Sequence, residues 1–392
     1  MIRTLEQALQ VVLESAPAME SEQVELADTI GRILAQDVIS DVDMPPFDKA
    51  AMDGYACCRA DLGRELAIVE TIPAGCTPKQ RIGTGQCARI MTGAMVPEGA
   101  DCVIMVEQTE QPAADRVRFT GKQTRDNICP RGEDVAAGQT LLRRGIRIKP
   151  QHIAIAAAAG CTRPEISRQP QVAVISTGDE LMPPDRRPCG AQIRNSNGDQ
   201  SCAQIRQAGA IARSYGIVAD CPDSIEAVLR RALAENDLVL LSGGVSAGDY
   251  DYVPQIMRRI GIDVLFDKVA IKPGKPTVFG LCDAACCFGL PGNPVSCFVV
   301  FELLVKPFLY RMMGHEYSPS CVLLPLAFPV EHGQINRQSW IPVAIRDASL
   351  VEPIECHGAA HIAALSTADG LISMDAGVAR IDQGVPVAVR LI

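Results

Sequence analysis

The chain has 392 residues, enough for two or three domains, and its hydrophobic fraction of 47% argues against disorder. Its 46 acidic residues outnumber its 37 basic ones, and the net charge of −9 argues against a general nucleic-acid-binding surface. The longest helix-like apolar stretches, such as residues 295–305, fall short of the roughly 20 residues that span a bilayer. No membrane segment is therefore expected.

The chain begins with an amphipathic pattern. Leu5, Leu9, Val12 and Leu13 share one helical face, and acidic and polar residues lie between them. This pattern predicts a helix and differs from a secretion signal. We therefore expect a cytoplasmic protein whose thiols are reduced.

Sixteen cysteines are scattered along the chain without any C-x-x-C pair. The densest group, Cys282, Cys286 and Cys287, lies in an apolar β-like context with no histidine nearby. We interpret these cysteines as small hydrophobic residues and not as metal ligands. His357 and His361 are interpreted as ordinary histidines, because the glycine and proline around them argue against a metal-binding helix.

Composition predicts a multidomain protein of class α/β plus β. Residues 47–140 are rich in glycine, proline and β-branched residues, which predicts a β-rich domain inserted into a discontinuous, elongated N-terminal domain, residues 1–46 and 141–169. Over residues 170–317 strands alternate with helices, which predicts a doubly wound parallel sheet. Residues 318–392 contain short strands broken by glycine and proline, and predict a C-terminal β-barrel.

The most informative stretch is residues 237–254, DLVLLSGGVSAGDYDYVP. A buried strand ends here in a glycine turn before a helix, an arrangement that binds phosphorylated ligands in open α/β sheets. Two carboxylates in the turn would repel a bare phosphate, so we infer a divalent cation between them; the alternative is that they only cap the helix. The candidate ligand-binding residues of this stretch are Ser242, Gly243, Gly244, Ser246, Asp249 and Asp251.

Other loops at the carboxyl ends of strands should meet in the same crevice. They contribute two acidic residues, Glu180 and Asp220, and the turn Pro291-Gly292-Asn293. Asp220 could instead only start the next helix.

A basic segment, DKVAIKPGKP (267–276), contains Lys268, Lys272 and Lys275. Lys268 and Lys272 straddle an apolar strand, and their even spacing predicts that both point to one face. The Pro-Gly kink after Lys272 favours a pocket rim over a solvated surface. Carboxylates for a hard cation, with N–H groups and lysines for oxyanions, indicate phosphate-ester or phosphoanhydride chemistry.

Motifs along essentially the whole chain resemble those of the molybdopterin molybdenumtransferase family, that is, bacterial MoeA-type enzymes and the C-terminal domain of gephyrin. Lys49-Ala50 replaces the family's usual Asn-Ser pair, and HGAAHIAALSTADG (357–370) differs from its glycine-serine-rich C-terminal motif. The similar segments are FDKAAMDGYA (47–56), RIMTGAMVPEGADCVIMVEQ (89–108), RGED (131–134), STGDEL (176–181), SGGVSAGDYDY (242–252), IKPGKP (271–276) and LPGNPVS (290–296).

The resemblance implies an enzyme of molybdenum-cofactor biosynthesis. It would bind adenylylated molybdopterin and molybdate, cleave the phosphoanhydride with Mg²⁺, place molybdenum on the dithiolene and release AMP. The resemblance also implies a homodimer, with a separate molybdopterin adenylyltransferase as a candidate partner. Tungstate fits the sequence as well as molybdate does.

The resemblance further implies roles for individual residues. The acidic, catalytic residues of the α/β side would be Glu180, Asp220 and Asp251, with Asp249 as a further metal ligand. The three lysines would hold phosphate or molybdate. Arg337 and Ser366 of the C-terminal domain would contact the substrate.

The partner's inserted domain would contribute Asp53, Thr92 and Asp134, the two aspartates as catalytic residues. Each of these three could instead be structural, since Asp53 precedes Gly54 and could only build a turn.

Two other functions are considered. Molybdopterin adenylyltransferases generally lack the flanking domains predicted here. A non-catalytic, gephyrin-like scaffold normally involves an extra domain or linker. The sequence therefore favours the molybdenumtransferase.

Overall fold

The computed structural model describes residues 2–245, 252–283, 285–331, 333, 335–347, 349–355 and 358–392. Ser246, Asp249, Asp251 and His357 lie outside the described residues. No helix in the described ranges is both long and apolar enough to cross a membrane. The α-helices are Leu5–Glu14, Pro150–Ala158, Ser196–Gln207, Pro222–Glu235, Val253–Arg259, Pro294–Val300 and Lys306–Met312, and short 3-10 helices cover Leu26–Asp28, Arg59–Asp61, Val106–Gln108 and Ile362–Leu365.

The N-terminal amphipathic helix forms as predicted, over Leu5–Glu14. Thr4 begins it with a capping box, in which its hydroxyl accepts the Gln7 N–H and the Gln7 side chain accepts the Thr4 N–H. Ala8 and Val12 are fully buried, because the helix packs its apolar face against the core of the α/β domain.

Two strand pairs join the segments on either side of the inserted domain. Ser21–Gln23 pairs with Glu165–Ser167, and Val38–Ile39 pairs with Thr140–Leu142. Pairing across so long an insertion is what a discontinuous domain requires. The domain boundaries themselves stay predictions.

The inserted region is a six-stranded sheet beside a short strand pair, Lys49–Ala50 with Ile128–Cys129. Gly54 is required where its strand pairs with Cys102–Met105, because a Cβ there would lie 1.8 Å from the Ile104 carbonyl oxygen. The strands, in spatial order, are Cys102–Met105, Gly54–Cys57, Gln86–Ile90, Glu65–Ile72, Arg116–Phe119 and Thr109–Ala113.

The α/β domain is built on a six-stranded sheet that is parallel only over its first four strands. The last two are antiparallel, because Val278–Leu281 turns back onto Cys286–Leu290 within a few residues, whereas a parallel connection needs a long crossover. The strands, in spatial order, are Ile211–Val218, Gln171–Thr177, Leu238–Ser242, Cys286–Leu290, Val278–Leu281 and Asp263–Phe266.

Helices cover both faces of this sheet, as in a doubly wound fold. One core contains Phe279, Phe288 and Phe308, and the other contains Leu229 and Met257 from the helices on the opposite face. The apolar run Leu238–Ser242 is buried along its whole length, as its composition predicted.

The C-terminal region closes into a β-barrel. Its edges meet where Leu326 bridges Val351, and a separate pair, Val330–Glu331 with Arg380–Ile381, lies beside it. The main strands are Cys321–Pro325, Gln338–Arg346, Leu350–Pro353, Gly370–Met374 and Pro386–Leu391.

The cysteines of the described ranges are free thiols. Cys286 and Cys287 are buried in a central strand, and burial raises the pKa of the Cys286 thiol to about 12. A protonated, buried thiol packs as a small apolar group, so these cysteines behave as the sequence predicted.

Candidate functional site

The carboxyl ends of the four parallel strands surround a cavity of about 670 Å³. Register aligns these ends, since Ser242 lies beside both Ser176 and Leu290, and Thr177 lies beside Val218. The cavity is thus where the topology of an open α/β sheet places a ligand. Its lining includes the predicted residues Glu180, Asp220, Ser242, Gly243, Gly244, Pro291, Gly292 and Asn293.

The glycine turn closes one wall of this cavity. Gly243 has a φ of +97°, and a Cβ on it would lie 2.4 Å from the Thr177 carbonyl oxygen. Its N–H donates to the Leu290 carbonyl at 3.1 Å. Glycine is therefore needed both for the left-handed backbone and for the close approach of two neighbouring strand ends.

Replacing Gly243 by alanine is expected to destabilise the protein by roughly 2–5 kcal/mol, because backbone strain and a steric clash add. Gly75→Ala is the matched control, since Gly75 also has a left-handed φ of +83° but meets no atom within 4 Å. It should cost only about 1–2 kcal/mol. Urea unfolding of both variants measures the difference, and equal losses would contradict the clash.

Two carboxylates, Glu180 and Asp220, line one side of the cavity, and Asp179 lies beside Asp220. Burial raises the pKa of Asp220, and the charges of Asp179 and Glu180 raise it further. One carboxylate oxygen of Asp220 is buried without a hydrogen-bond partner in the described structure. A half-buried anion beside two others is unfavourable unless a cation neutralises it.

The two carboxylates of this cavity suit Mg²⁺ when a bound substrate supplies the remaining oxygen ligands. Glu180 and Asp220 both line the cavity, and the described residues contain no group of three metal-ligating side chains. Mg²⁺ is typically held by one or two carboxylates together with substrate phosphates and water, so these two carboxylates, one of them with an unpartnered oxygen, fit it.

A second cavity of about 620 Å³ adjoins the first, and Pro276 lines both. It brings together three of the predicted cationic residues, Lys272, Lys275 and Arg337, with two carboxylates, Glu331 and Glu355. Neither cavity is lined by Lys268 or by Ser366, whose hydroxyl donates to the Ala363 carbonyl at 2.7 Å.

The lysines meet the arginine because the two domains share a sheet. Ile271–Lys272 adds as a parallel edge strand beside Gln338–Arg346 of the C-terminal barrel. The Arg337 guanidinium donates to the Ile271 carbonyl at 3.3 Å. The sequence predicted a strand from Lys268 to Lys272, but the observed strand contains only Ile271 and Lys272. Val269, earlier in this segment, instead forms a β-bridge with Arg3.

The inserted domain places its predicted residues elsewhere. The Asp53 carboxylate accepts both the N–H and the hydroxyl of Thr92 at 2.7 Å, and these bonds hold the pKa of Asp53 below its usual range. Asp134 is exposed in the loop after Ile128–Cys129, which pairs with the strand just before Asp53. None of the three residues lines either cavity of the same chain.

The sequence reasoning missed three residues of the site. Asp179 accepts the Asp220 N–H at 3.1 Å. Asn197, in the first turn of the helix Ser196–Gln207, donates to the Gly292 carbonyl at 2.7 Å and so ties this helix to a cavity loop. Trp340, the single tryptophan, lines the basic cavity. Asp179 could have been found from its place in the STGDEL loop.

Family models match three parts of the chain. The "MoeA N-terminal region (domain I and II)" matches residues 3–160, the "Probable molybdopterin binding domain" matches residues 173–311, and the "MoeA C-terminal region (domain IV)" matches residues 325–392. Together these models account for most of the chain.

Individual relatives agree. A molybdopterin molybdenumtransferase of Bacillus subtilis is 34% identical over 388 residues, covering 95% of this chain and 90% of that protein. One from Staphylococcus epidermidis is 37% identical over 319 residues, covering 79% and 76%. The crystal structure of a molybdopterin biosynthesis MoeA protein from Pyrococcus horikoshii superposes with a TM-score of 0.86 at 33% identity, covering 100% and 99%. The chain therefore belongs to the molybdopterin molybdenumtransferase family of enzymes.

Proposed function

We propose that the chain inserts molybdenum from molybdate into adenylylated molybdopterin and releases AMP, with Mg²⁺ as cofactor. The observation that supports this most is the pair of adjoining cavities. One presents Glu180 and Asp220 beside a glycine turn, and the other presents Lys272, Lys275 and Arg337. A substrate with a phosphoanhydride and a separate oxyanion substrate need these two environments side by side.

The basic cavity would take the oxyanion, because its three cations outnumber the carboxylates Glu331 and Glu355, and Glu331 already pairs with Arg380. The Arg337 guanidinium, which bonds to the Ile271 carbonyl with one of its N–H groups, would add a charged hydrogen bond to a tetrahedral oxyanion, and the lysines add positive charge from the facing segment. Molybdate and tungstate share this shape and charge.

The acidic cavity would take the phosphoanhydride. Glu180 and Asp220 would hold Mg²⁺, which when bound would neutralise charge developing on the departing phosphate oxygen. Backbone N–H groups of the glycine turn other than that of Gly243, together with the loop Pro291-Gly292-Asn293, would position the phosphates. Asn197 would keep that loop in place through its bond to Gly292.

The site would be completed by a second subunit. Asp53 and Thr92 form an exposed pair, and Asp134 lies in an exposed loop on the neighbouring strand pair. Exposed polar residues that line no cavity of their own chain suit a role across an isologous dimer, where each patch meets its partner's crevice.

The direct test is AMP release from adenylylated molybdopterin by purified protein with and without molybdate. Molybdate-dependent release supports the proposal, and a parallel reaction with tungstate measures metal choice. Pyrophosphate release from ATP and molybdopterin without molybdate would instead identify an adenylyltransferase. If the protein catalyses neither of these reactions, the result would indicate a scaffold. Adding a separate molybdopterin adenylyltransferase with ATP tests whether such an enzyme supplies the substrate.

Lys272→Met is expected to weaken molybdate binding by about tenfold, because a charged hydrogen bond to the anion is lost. Its melting temperature should stay unchanged, since a lysine at a cavity rim contributes little to the core. Lys268→Met is the matched control, because Lys268 is exposed and lines neither cavity. Isothermal titration with molybdate compares the two, and equal affinities would remove Lys272 from the site.

A further inference from the structure

The long helical segment from Pro294 to Met312 contains a π-helical turn at Phe301–Val305. In this turn the Lys306 N–H donates to the Phe301 carbonyl, five residues back, and not to Glu302. The next donor in a π-helical pattern would be residue 307, which is a proline without an N–H. The Glu302 carbonyl is therefore left without a donor from its own helix.

Arg390 supplies the missing donor. It lies on the strand Pro386–Leu391 of the C-terminal barrel, and its guanidinium donates to the Glu302 carbonyl. Its Nε is buried without a hydrogen-bond partner in the described structure, which places the guanidinium inside the contact and not at its rim.

The surrounding groups hold the guanidinium in place. It lies 5.8 Å from the ring centre of Tyr317, which stacks on Tyr310 at 5.0 Å with an interplanar angle of 3°. The Glu302 carboxylate points to other partners, Lys306 at 2.7 Å and the Gln204 amide at 2.9 Å. The Glu302 side chain is thus already satisfied, and Arg390 bonds to the backbone.

Among the described residues, polar bonds attach the C-terminal region to the α/β domain at two places. The shared strand Ile271–Lys272 and a bond from the Val295 N–H to the Ala359 carbonyl at 3.0 Å both lie at the basic cavity, and Arg390 bonds to Glu302 away from that cavity. Bonds at one place let a rigid barrel pivot about that place, whereas bonds at two places define its orientation. We propose that Arg390 is a positioning residue that fixes the barrel so that Arg337 stays beside Lys272 and Lys275.

The structural test uses Trp340, the single tryptophan, which packs against the apolar core of the α/β domain. Arg390→Met should shift its fluorescence emission to longer wavelength and speed proteolysis between the domains. Arg346→Met is the matched control, because Arg346 lies in the same barrel but pairs with Glu352 on its exposed face. Unchanged emission and proteolysis in a folded Arg390→Met protein would overturn the proposal.

The ligand test rests on the proposed function. Molybdate affinity should fall by about tenfold in Arg390→Met, since loss of one charged hydrogen bond loosens the cavity. Arg390→Lys, which keeps a donor, should restore part of the affinity and of the emission. If the wild type binds no molybdate, the proposed function fails while the Trp340 measurement still tests Arg390.

Pro307→Ala tests whether the lack of an N–H at residue 307 is the reason that Arg390 bonds to the Glu302 carbonyl. It also provides a second test if Arg390→Met alone fails to fold. It gives the helix an N–H that can bond the Glu302 carbonyl from within. The Arg390→Met emission shift should therefore be smaller in a Pro307→Ala background than alone. An equal shift in both backgrounds would show that the orphaned carbonyl does not hold the barrel.

Discussion

Replacing Asp220 by asparagine is expected to reduce molybdate-dependent AMP release by roughly 100-fold or more, because the variant loses a carboxylate that would hold Mg²⁺ at the reacting phosphate. The fold should not suffer, since asparagine keeps the shape of the side chain. Asp223→Asn is the matched control, because Asp223 is exposed three residues further on and does not line the cavity. Full activity in Asp220→Asn would exclude Asp220 from the reaction.

The stability of the same variant depends on pH in a defined direction. Burial, then Asp179 and Glu180, raise the pKa of Asp220 in the folded protein. A carboxyl whose folded pKa is raised stabilises the fold when protonated, and this contribution is lost as pH rises through that pKa. Without divalent cation, wild type should therefore lose stability relative to Asp220→Asn as pH rises above about 4, the ordinary pKa of an unfolded-chain aspartate.

Urea unfolding of both proteins in a chelator measures this trend. Adding Mg²⁺ at neutral pH should then raise the melting temperature of wild type more than that of Asp220→Asn, because a ligand that binds only the folded state stabilises it. A stability difference that does not change with pH would contradict the raised pKa. Equal effects of Mg²⁺ would contradict the proposed metal role.

Mixing two inactive variants is expected to restore activity. If Asp53 acts in the partner's site, a heterodimer of Asp53→Ala and Asp220→Asn subunits has one site with both defects and one intact site. Random exchange of equal amounts should therefore recover about a quarter of wild-type activity. Mixing Asp53→Ala with Asp134→Ala is the control, because both residues belong to the same side and every site in the mixed dimer stays defective.

The readout is AMP release after subunit exchange, with heterodimers confirmed by differently tagged chains. Absence of recovery in a preparation that contains heterodimers would place Asp53 and Asp220 in one subunit's site or remove Asp53 from it. Recovery in the control mixture would show that Asp53 and Asp134 serve different sites.

The sequence by itself determined much of the α/β side of the site. A buried apolar run followed by two glycines predicts a strand and a ligand-binding turn, and Leu238–Ser242 ends in that turn. Register then brings Glu180, Asp220 and Asn293 to the same cavity, because the carboxyl ends of parallel strands share one edge. These features depend on local pattern and on a general rule of topology, so they can be inferred from one chain.

Only the tertiary structure decided which basic residues meet. Lys272 lies beside Arg337 because a two-residue strand joins the barrel's sheet, whereas Lys268, four residues earlier, stays outside the cavity. The bond from Arg390 to the Glu302 carbonyl spans 88 residues of sequence. Such contacts depend on how separate domains pack, and no local spacing of residues encodes that packing.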